Sequence, residues 1–164
     1  MDTQDGSRSR KGSGLDKPPA GSGLTADDFL GRWRLDRVIH NRLTGEESRL
    51  EGEALMRPEG SDMAYHEEGK LEHPGQPPMI ATRDYVWQAD GDGIWVFFSD
   101  GRPFHRFSLG LKMPEAHHHC PPDMYHVTYD FTRWPRWGAI WTVRGPHKDY
   151  RLRSTYTRLE GQAG

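Results

Sequence analysis

The sequence predicts an all-β protein: a single antiparallel up-and-down β-barrel of about nine strands, preceded by a short helical turn. Three observations carry this. Residues 33–158 divide into segments in which apolar and polar side chains alternate with period two, as half-buried strands require. Turn residues separate the segments at hairpin-like spacing, most clearly Asp90-Gly91-Asp92-Gly93 and Gly145-Pro146. Beyond the first turn no long helix is legible, and no repeat of 20–50 residues marks a solenoid or propeller. Closing such strands on themselves removes unpaired edges and leaves room for one small ligand. A two-sheet sandwich is the alternative arrangement.

The bounds agree with one domain. A chain of 164 residues, 34% hydrophobic and 28% charged, is long enough for one real core and short for two. With 22 Lys and Arg against 24 Asp and Glu the formal net charge is -2, so no overall field recruits nucleic acid or anionic lipid. The longest apolar run, Ile94 to Phe98, is far below a membrane span, and no apolar segment follows the basic residues at the start. A soluble, cytoplasmic protein is expected. The single Cys120 excludes an internal disulfide framework and fits a reducing compartment. Residues 1–24, mostly Gly, Ser, Pro and charge, read as a disordered tail, 25–160 as the barrel and 161–164 as a disordered end.

The barrel begins at Thr25, which can cap a helical turn answered by Asp28, with Gly31 ending it. A strand from Trp33 to about Asn41 puts Trp33, Leu35, Arg37 and Ile39 on one face. The next, 48–57, alternates through Leu50, Gly52, Ala54 and Met56, whose small members suggest crowding inside. In the third, 63–71, Tyr65, Glu67, Gly69 and Leu71 share a face, either inside the barrel or on an exposed edge. The fourth, 79–88, lines up Ala81, Arg83, Tyr85 and Trp87. The apolar fifth, 94–98, leads through Ser99 to Arg102 into a sixth, 103–109, with His105, Phe107 and Leu109 opposing Phe104, Arg106 and Ser108. Residues 110–122 read as a loop holding His117, His118, His119 and Cys120. The seventh strand, 124–131, sets Tyr125, Val127, Tyr129 and Phe131 on one face. The closing hairpin supplies Trp137, Ala139, Trp141 and Val143, then Tyr150, Leu152, Ser154 and Tyr156.

The capped turn with Gly31-Arg32-Trp33 entering the first strand, and Thr157-Arg158 ending the last, resembles the calycin pattern of lipocalins, fatty-acid-binding proteins and nitrobindin-like barrels. That resemblance implies an early Trp packed beneath the barrel against an Arg of the final strand. A more specific likeness runs from about Phe29 to Arg158. Its segments are Asp100 to His105, His119 to Tyr125 and Gly145 to Tyr150, and they resemble an uncharacterised family, domain of unknown function 6314. It implies a calycin-like barrel and transfers no activity. Nitrobindin-like proteins bind haem through a barrel histidine, but this chain has Leu35-Asp36 where more glycine is expected; haem is an alternative cofactor here.

Inward polar residues are the informative ones, because burying an unpaired ion costs several kcal/mol. Arg37, Arg83, Tyr85, Arg102, His105, Tyr125, Lys148 and Tyr150 are the candidate ligand-binding residues. They suit a small anionic or aromatic metabolite in the cavity. The alternative is that Arg37 and Arg83 form structural ion pairs with Glu67, Asp84 or Asp123. An enzyme of the same fold would use His105, Cys120 or Tyr125 for acid-base or covalent chemistry. His117, His119 and Cys120 are the ligand types for Zn or Cu, but without the paired spacing such sites show, and a polar loop with incidental histidines is the favoured reading. Trp134, Trp137 and Trp141 either stack a planar ligand or fill the barrel, with core filling the favoured reading of Trp137 and Trp141, and Arg151 with Arg153 makes too small a basic patch for nucleic acid. The starts of the strands at 124 and 150 fall at one end of an up-and-down barrel, so Lys148 and Tyr150 are expected to share a rim with His119 to Tyr125.

Overall fold

The structure, a computed structural model, describes residues 21–159. Residues 1–20 and 160–164, on which most of the expected tail and the expected end fall, lie outside the described residues. Residues 21–24 of that tail are described, and Ser22 bonds the Leu109 carbonyl through both its amide and its hydroxyl, at 3.2 and 2.8 Å. No helix among the described residues is long and apolar enough to cross a membrane.

Ten strands make one antiparallel sheet: β1 (Gly31–Asn41), β2 (Glu47–Glu59), β3 (Asp62–Glu72), β4 (Met79–Asp90), β5 (Gly93–Phe98), β6 (Pro103–Ser108), β7 (Glu115–Cys120), β8 (Asp123–Asp130), β9 (Trp137–Gly145) and β10 (Lys148–Arg158). Each pairs with its sequence neighbour except β6 with β7. Strand β1 also pairs with β10, Trp33 opposite Arg158 and Asn41 opposite Tyr150. The sheet therefore curls into an up-and-down barrel, nearly closed, with one seam lacking a ladder between β6 and β7. This is the fold class that alternation predicts, with ten strands in place of about nine.

The extra strand is a correction with a physical reason. Segment 115–120 reads as loop because an edge strand paired on one side needs little apolar surface, and Ala116 is its one buried residue. Its identity comes from the ladder to β8, which local composition does not reveal. A second correction concerns β6. A register shift between Val96 and Phe97 pairs Val96 with His105 and Phe97 with Pro103, leaving Phe104 as the additional residue of a β-bulge. Phe104 and His105 consequently both line the interior, where strict alternation opposes them.

One end of the barrel is plugged. The 3-10 turn Ala26–Phe29 is closed by the Thr25 amide donating to Asp28 Oδ2 at 2.7 Å. It inserts Phe29, fully buried, among Trp87, Trp134 and Trp137 at ring separations of 5.0–5.3 Å. The Trp33 indole donates to the Phe29 carbonyl at 2.9 Å. Arg158 then straps the turn down, donating to the carbonyls of Leu30 at 2.6 Å and Asp28 at 2.7 Å while its guanidinium lies 3.9 Å above the Trp33 ring. Two hydrogen bonds and one cation–π contact give Arg158→Met an expected loss of about 1–3 kcal/mol in urea denaturation. A loss below about 0.5 kcal/mol would make the strap ornamental.

The crowding expected on β2 is real. A Cβ at Gly52 would collide with the Glu68 carbonyl and the Gly69 backbone of β3, so the two strands approach there too closely for any side chain.

Candidate ligand-binding cavity

With one end plugged, the inward faces of the remaining strands enclose a cavity of about 500 Å³ that reaches the opposite rim. Its polar floor is built by alternation. Arg37 on β1 and Glu67 on β3 both point inward, 7% and 2% exposed. They form a bidentate pair, Nη1 to Oε2 at 2.6 Å and Nη2 to Oε1 at 3.0 Å. Arg37 Nε donates to Ser154 Oγ at 2.8 Å, and the Tyr65 hydroxyl donates to Glu67 Oε1 at 2.6 Å. Tyr65 and Tyr156 hydroxyls lie 2.9 Å apart. Because the Tyr65 hydrogen is committed to Glu67, Tyr156 is the donor of that pair.

Burial works to raise the Glu67 carboxyl, but the Arg37 hydrogen bonds and charge, with the Tyr65 hydroxyl, hold it below the usual carboxylate range. Burial likewise opposes the Arg37 charge, and the bond to Glu67 more than offsets it. Burial pushes the Tyr156 phenol up to about 12 and raises Tyr65 as well. The floor is thus a neutral sum of paired charges. Of the two readings of Arg37, the ion pair with Glu67 is the observed one.

Beside this network, His105 on β6 reaches Tyr129 on β8, Nε2 to hydroxyl at 2.8 Å, across the side of the barrel where the seam lies. His105 is 4% exposed, and burial, aided by the nearby His118 charge, lowers its imidazole to about 3. It is neutral at physiological pH. Bulged Phe104 packs its ring on Phe98 at 4.5 Å and Tyr85 at 5.7 Å on one side of the seam. On the other it meets Trp141 at 5.0 Å and His118 at 5.2 Å. These rings form the cavity wall.

At the rim, Lys148 Nζ meets Asp123 Oδ2 at 3.0 Å, so the β9–β10 and β7–β8 turns do share an end, as parity of the strand starts requires. That contact also raises the Lys148 ammonium above its ordinary value. Tyr125, Tyr150, Cys120 and Arg83 line the same mouth. Arg83 lies opposite Glu67 in the β3–β4 ladder, and its charge contributes to lowering that carboxyl. Among the described residues Glu67 is spent on Arg37, Asp84 bonds His66 at 2.7 Å and Asp123 bonds Lys148. None of the three carboxylates weighed as a partner for Arg83 pairs with it.

Of the expected ligand-binding residues, Arg37, Arg83, Tyr85, His105, Tyr125, Lys148 and Tyr150 line this one cavity. Arg102 does not: it lies in the β5–β6 turn, 76% exposed, paired with Asp100 at 2.8 Å. The candidate catalytic groups share the cavity without forming a unit, since His105 bonds Tyr129 and neither Cys120 nor Tyr125. The candidate metal ligands are divided by alternation along β7. His117 lies outside the cavity, its ring tilted against that of His126 with centroids 4.6 Å apart, while Cys120 lines the cavity. Among the described residues no group of three or more His, Cys, Asp or Glu is arranged to hold a metal ion. His118, like the bulged Phe104, is a cavity residue that sequence reasoning passed over. Once Ala116 is recognised as the inward residue of a strand, period two places His118 and Cys120 beside it. For a haem iron, His105 is already committed to Tyr129, which leaves His118 as the other imidazole lining the cavity.

The model of a family of unknown function, DUF6314, matches residues 29–158, and the chain belongs to that family. No curated protein matches it in sequence. Among solved structures, an S-type phycobiliprotein lyase from Guillardia theta is similar, with a TM-score of 0.65 and 10% identity over 86% of this chain and 96% of that one. At that identity the likeness is one of fold.

Proposed function

We propose that this member of DUF6314 is a small-molecule-binding barrel whose ligand is a planar, aromatic, carboxylate-bearing metabolite. The observation that carries the reading is the combination, in one cavity of about 500 Å³, of aromatic walls with an Arg83 cation that none of the nearby carboxylates pairs. A fold shared with a phycobiliprotein lyase fits a barrel built around a ligand; the ligand class rests on this chain's own residues. The body of the ligand lies against Tyr85, Phe98, Phe104 and Trp141, where flat faces favour offset stacking. Its carboxylate takes the planar fork of Arg83, with Tyr125 and Tyr150 offering hydroxyls and Lys148, shared with Asp123, donating from the same rim. Arg37 is not the anchor, because Glu67 already neutralises it.

Binding is favoured over turnover by the state of His105. An imidazole lowered to about 3 is a poor base, and its one hydrogen bond goes to a tyrosine and not to a nucleophile.

Calorimetric titration with anthracene-2-carboxylate and its neutral partner, anthracene-2-methanol, tests this. The acid is expected to bind at least tenfold more tightly, and Arg83→Ala to remove that preference. Lys148→Ala and Tyr150→Phe are expected to weaken binding with the thermal midpoint held within a few degrees, since such rim substitutions change stability by about 0.5 kcal/mol or less. Equal affinity for acid and alcohol, or rim variants that lose stability while binding normally, would overturn the reading.

A further inference from the structure

The reading of the cavity as a ligand site leaves open what its inner end recognises, and the hydrogen count there is informative. The neutral His105–Tyr129 pair carries two exchangeable hydrogens, one on the imidazole and one on the phenol, and makes one hydrogen bond. If Tyr129 donates to Nε2, the imidazole hydrogen sits on Nδ1, which is buried without a partner. If Nε2 donates to Tyr129, the phenol hydrogen is left over. Either way one donor is spare. Trp137, 3% exposed and lining the same cavity, adds a second: its Nε1 is also buried without a partner, and an indole can only donate.

Among the described residues nothing accepts these hydrogens. The Glu67 oxygens are taken by Arg37 and Tyr65. Trp137 lies flat on Tyr156, centroids 3.8 Å apart and planes within 5°, so its in-plane N–H runs alongside that hydroxyl and does not point at it. Its ring centroid is 6.4 Å from that of Tyr129, so the two residues are neighbours on the wall of this cavity. Buried donors without acceptors are costly and uncommon, and two in one cavity mark the place of an absent acceptor. Charge limits what that acceptor is. The Arg37 cation is already neutralised, so a second carboxylate at this depth would be desolvated without a counter-ion. A hydroxyl or amine would bring a further hydrogen to a place already rich in them.

We infer that the inner end of the cavity receives an uncharged hydrogen-bond acceptor, the oxygen of a ketone, quinone or amide, borne by the same planar carboxylate whose charge sits at the mouth. The ligand is then an aryl carbonyl carboxylate, and a matched pair of probes separates this from the broader reading. Anthraquinone-2-carboxylate and anthracene-2-carboxylate share size, flatness and charge, and differ in the carbonyl oxygens. The intact protein is expected to bind the quinone at least tenfold more tightly, because a site with unpaired buried donors discriminates strongly against the analogue that cannot pair them. Trp137→Phe, which keeps the stack on Tyr156 but removes the N–H, is expected to shrink that preference, read as the ratio of the two affinities, and so is the double variant His105→Leu/Tyr129→Phe, which removes both hydrogens of the other pair. Arg83→Ala is expected to weaken both probes alike. Equal affinity of the intact protein for the two probes overturns the inference and leaves the aryl carboxylate reading standing, water alone then serving the spare donors. Binding of neither probe overturns both. The comparison on the intact protein decides the matter even if a variant fails to fold.

Discussion

Glu67→Ala is expected to lower the thermal midpoint by about 10 °C, the largest effect of any single substitution proposed for this protein. The carboxylate accepts two bonds from Arg37 and one from Tyr65, and Tyr156 leans on Tyr65 in turn. Removing it leaves a guanidinium that is 7% exposed with no counter-ion, together with a buried phenol whose hydrogen has no acceptor. Breaking one side of a buried pair costs about 3–5 kcal/mol, and for a domain of this size each kcal/mol moves the midpoint by about 2–4 °C. The same argument makes the double variant Arg37→Met/Glu67→Leu milder than Glu67→Ala alone, since no unpaired charge remains. Thermal and urea melts of the three proteins check this. A double variant less stable than the single one would show that the pair contributes net stability beyond mutual neutralisation.

Acid is expected to weaken the barrel from pH 6.5 downward, and His105 is the residue responsible. Its folded-state value of about 3 lies below the ordinary 6.5, because burial between Tyr129, Phe104 and Trp141, with His118 nearby, excludes the charged form. Above pH 6.5 folded and unfolded chains both hold a neutral imidazole, and His105 adds nothing to the pH dependence. Below it the unfolded chain takes up a proton that the folded one refuses, so stability falls progressively until the pH reaches about 3. The gap between about 3 and 6.5 corresponds to roughly 4–5 kcal/mol in all, as an order of magnitude. Glu67 is also lowered, but its contribution is present above the ordinary carboxylate value and is lost only under more acid conditions. Between pH 6.5 and about 4.5, therefore, the slope belongs to His105 among the groups with shifted values. His105→Gln keeps a donor within reach of Tyr129 and cannot titrate. Urea midpoints at pH 7, 6 and 5 should fall for the natural protein and stay level for the variant, and a parallel fall in both would remove His105 from the explanation.

Period two is a property of each strand by itself, and so the inward faces were legible in the sequence. Trp33, Leu35 and Arg37 point where alternation puts them, as do Tyr65 and Glu67, and Trp137 and Tyr156. The Arg158 strap beneath the barrel was legible as well, because a capped turn followed by Trp33 resembles a known opening. Seven of the eight expected ligand-binding residues line one cavity for the same reason: each sits on the apolar phase of a strand. Arg102 does not, since it lies in a turn, where alternation has no meaning.

What only the tertiary structure decided depends on how strands meet. Glu67 is the partner of Arg37 and not of Arg83 because the curl of the sheet brings β1 and β3 side chains together across β2. Strand β7 exists because β8 offers it a ladder, and without that strand His118 could not be placed. The bulge that turns Phe104 inward arises from the β5–β6 register, and His105 meets Tyr129 through closure of the barrel. Each of these is a relation between segments distant in the chain, where hydrogen-bond pairing and packing outweigh any preference the local residues carry.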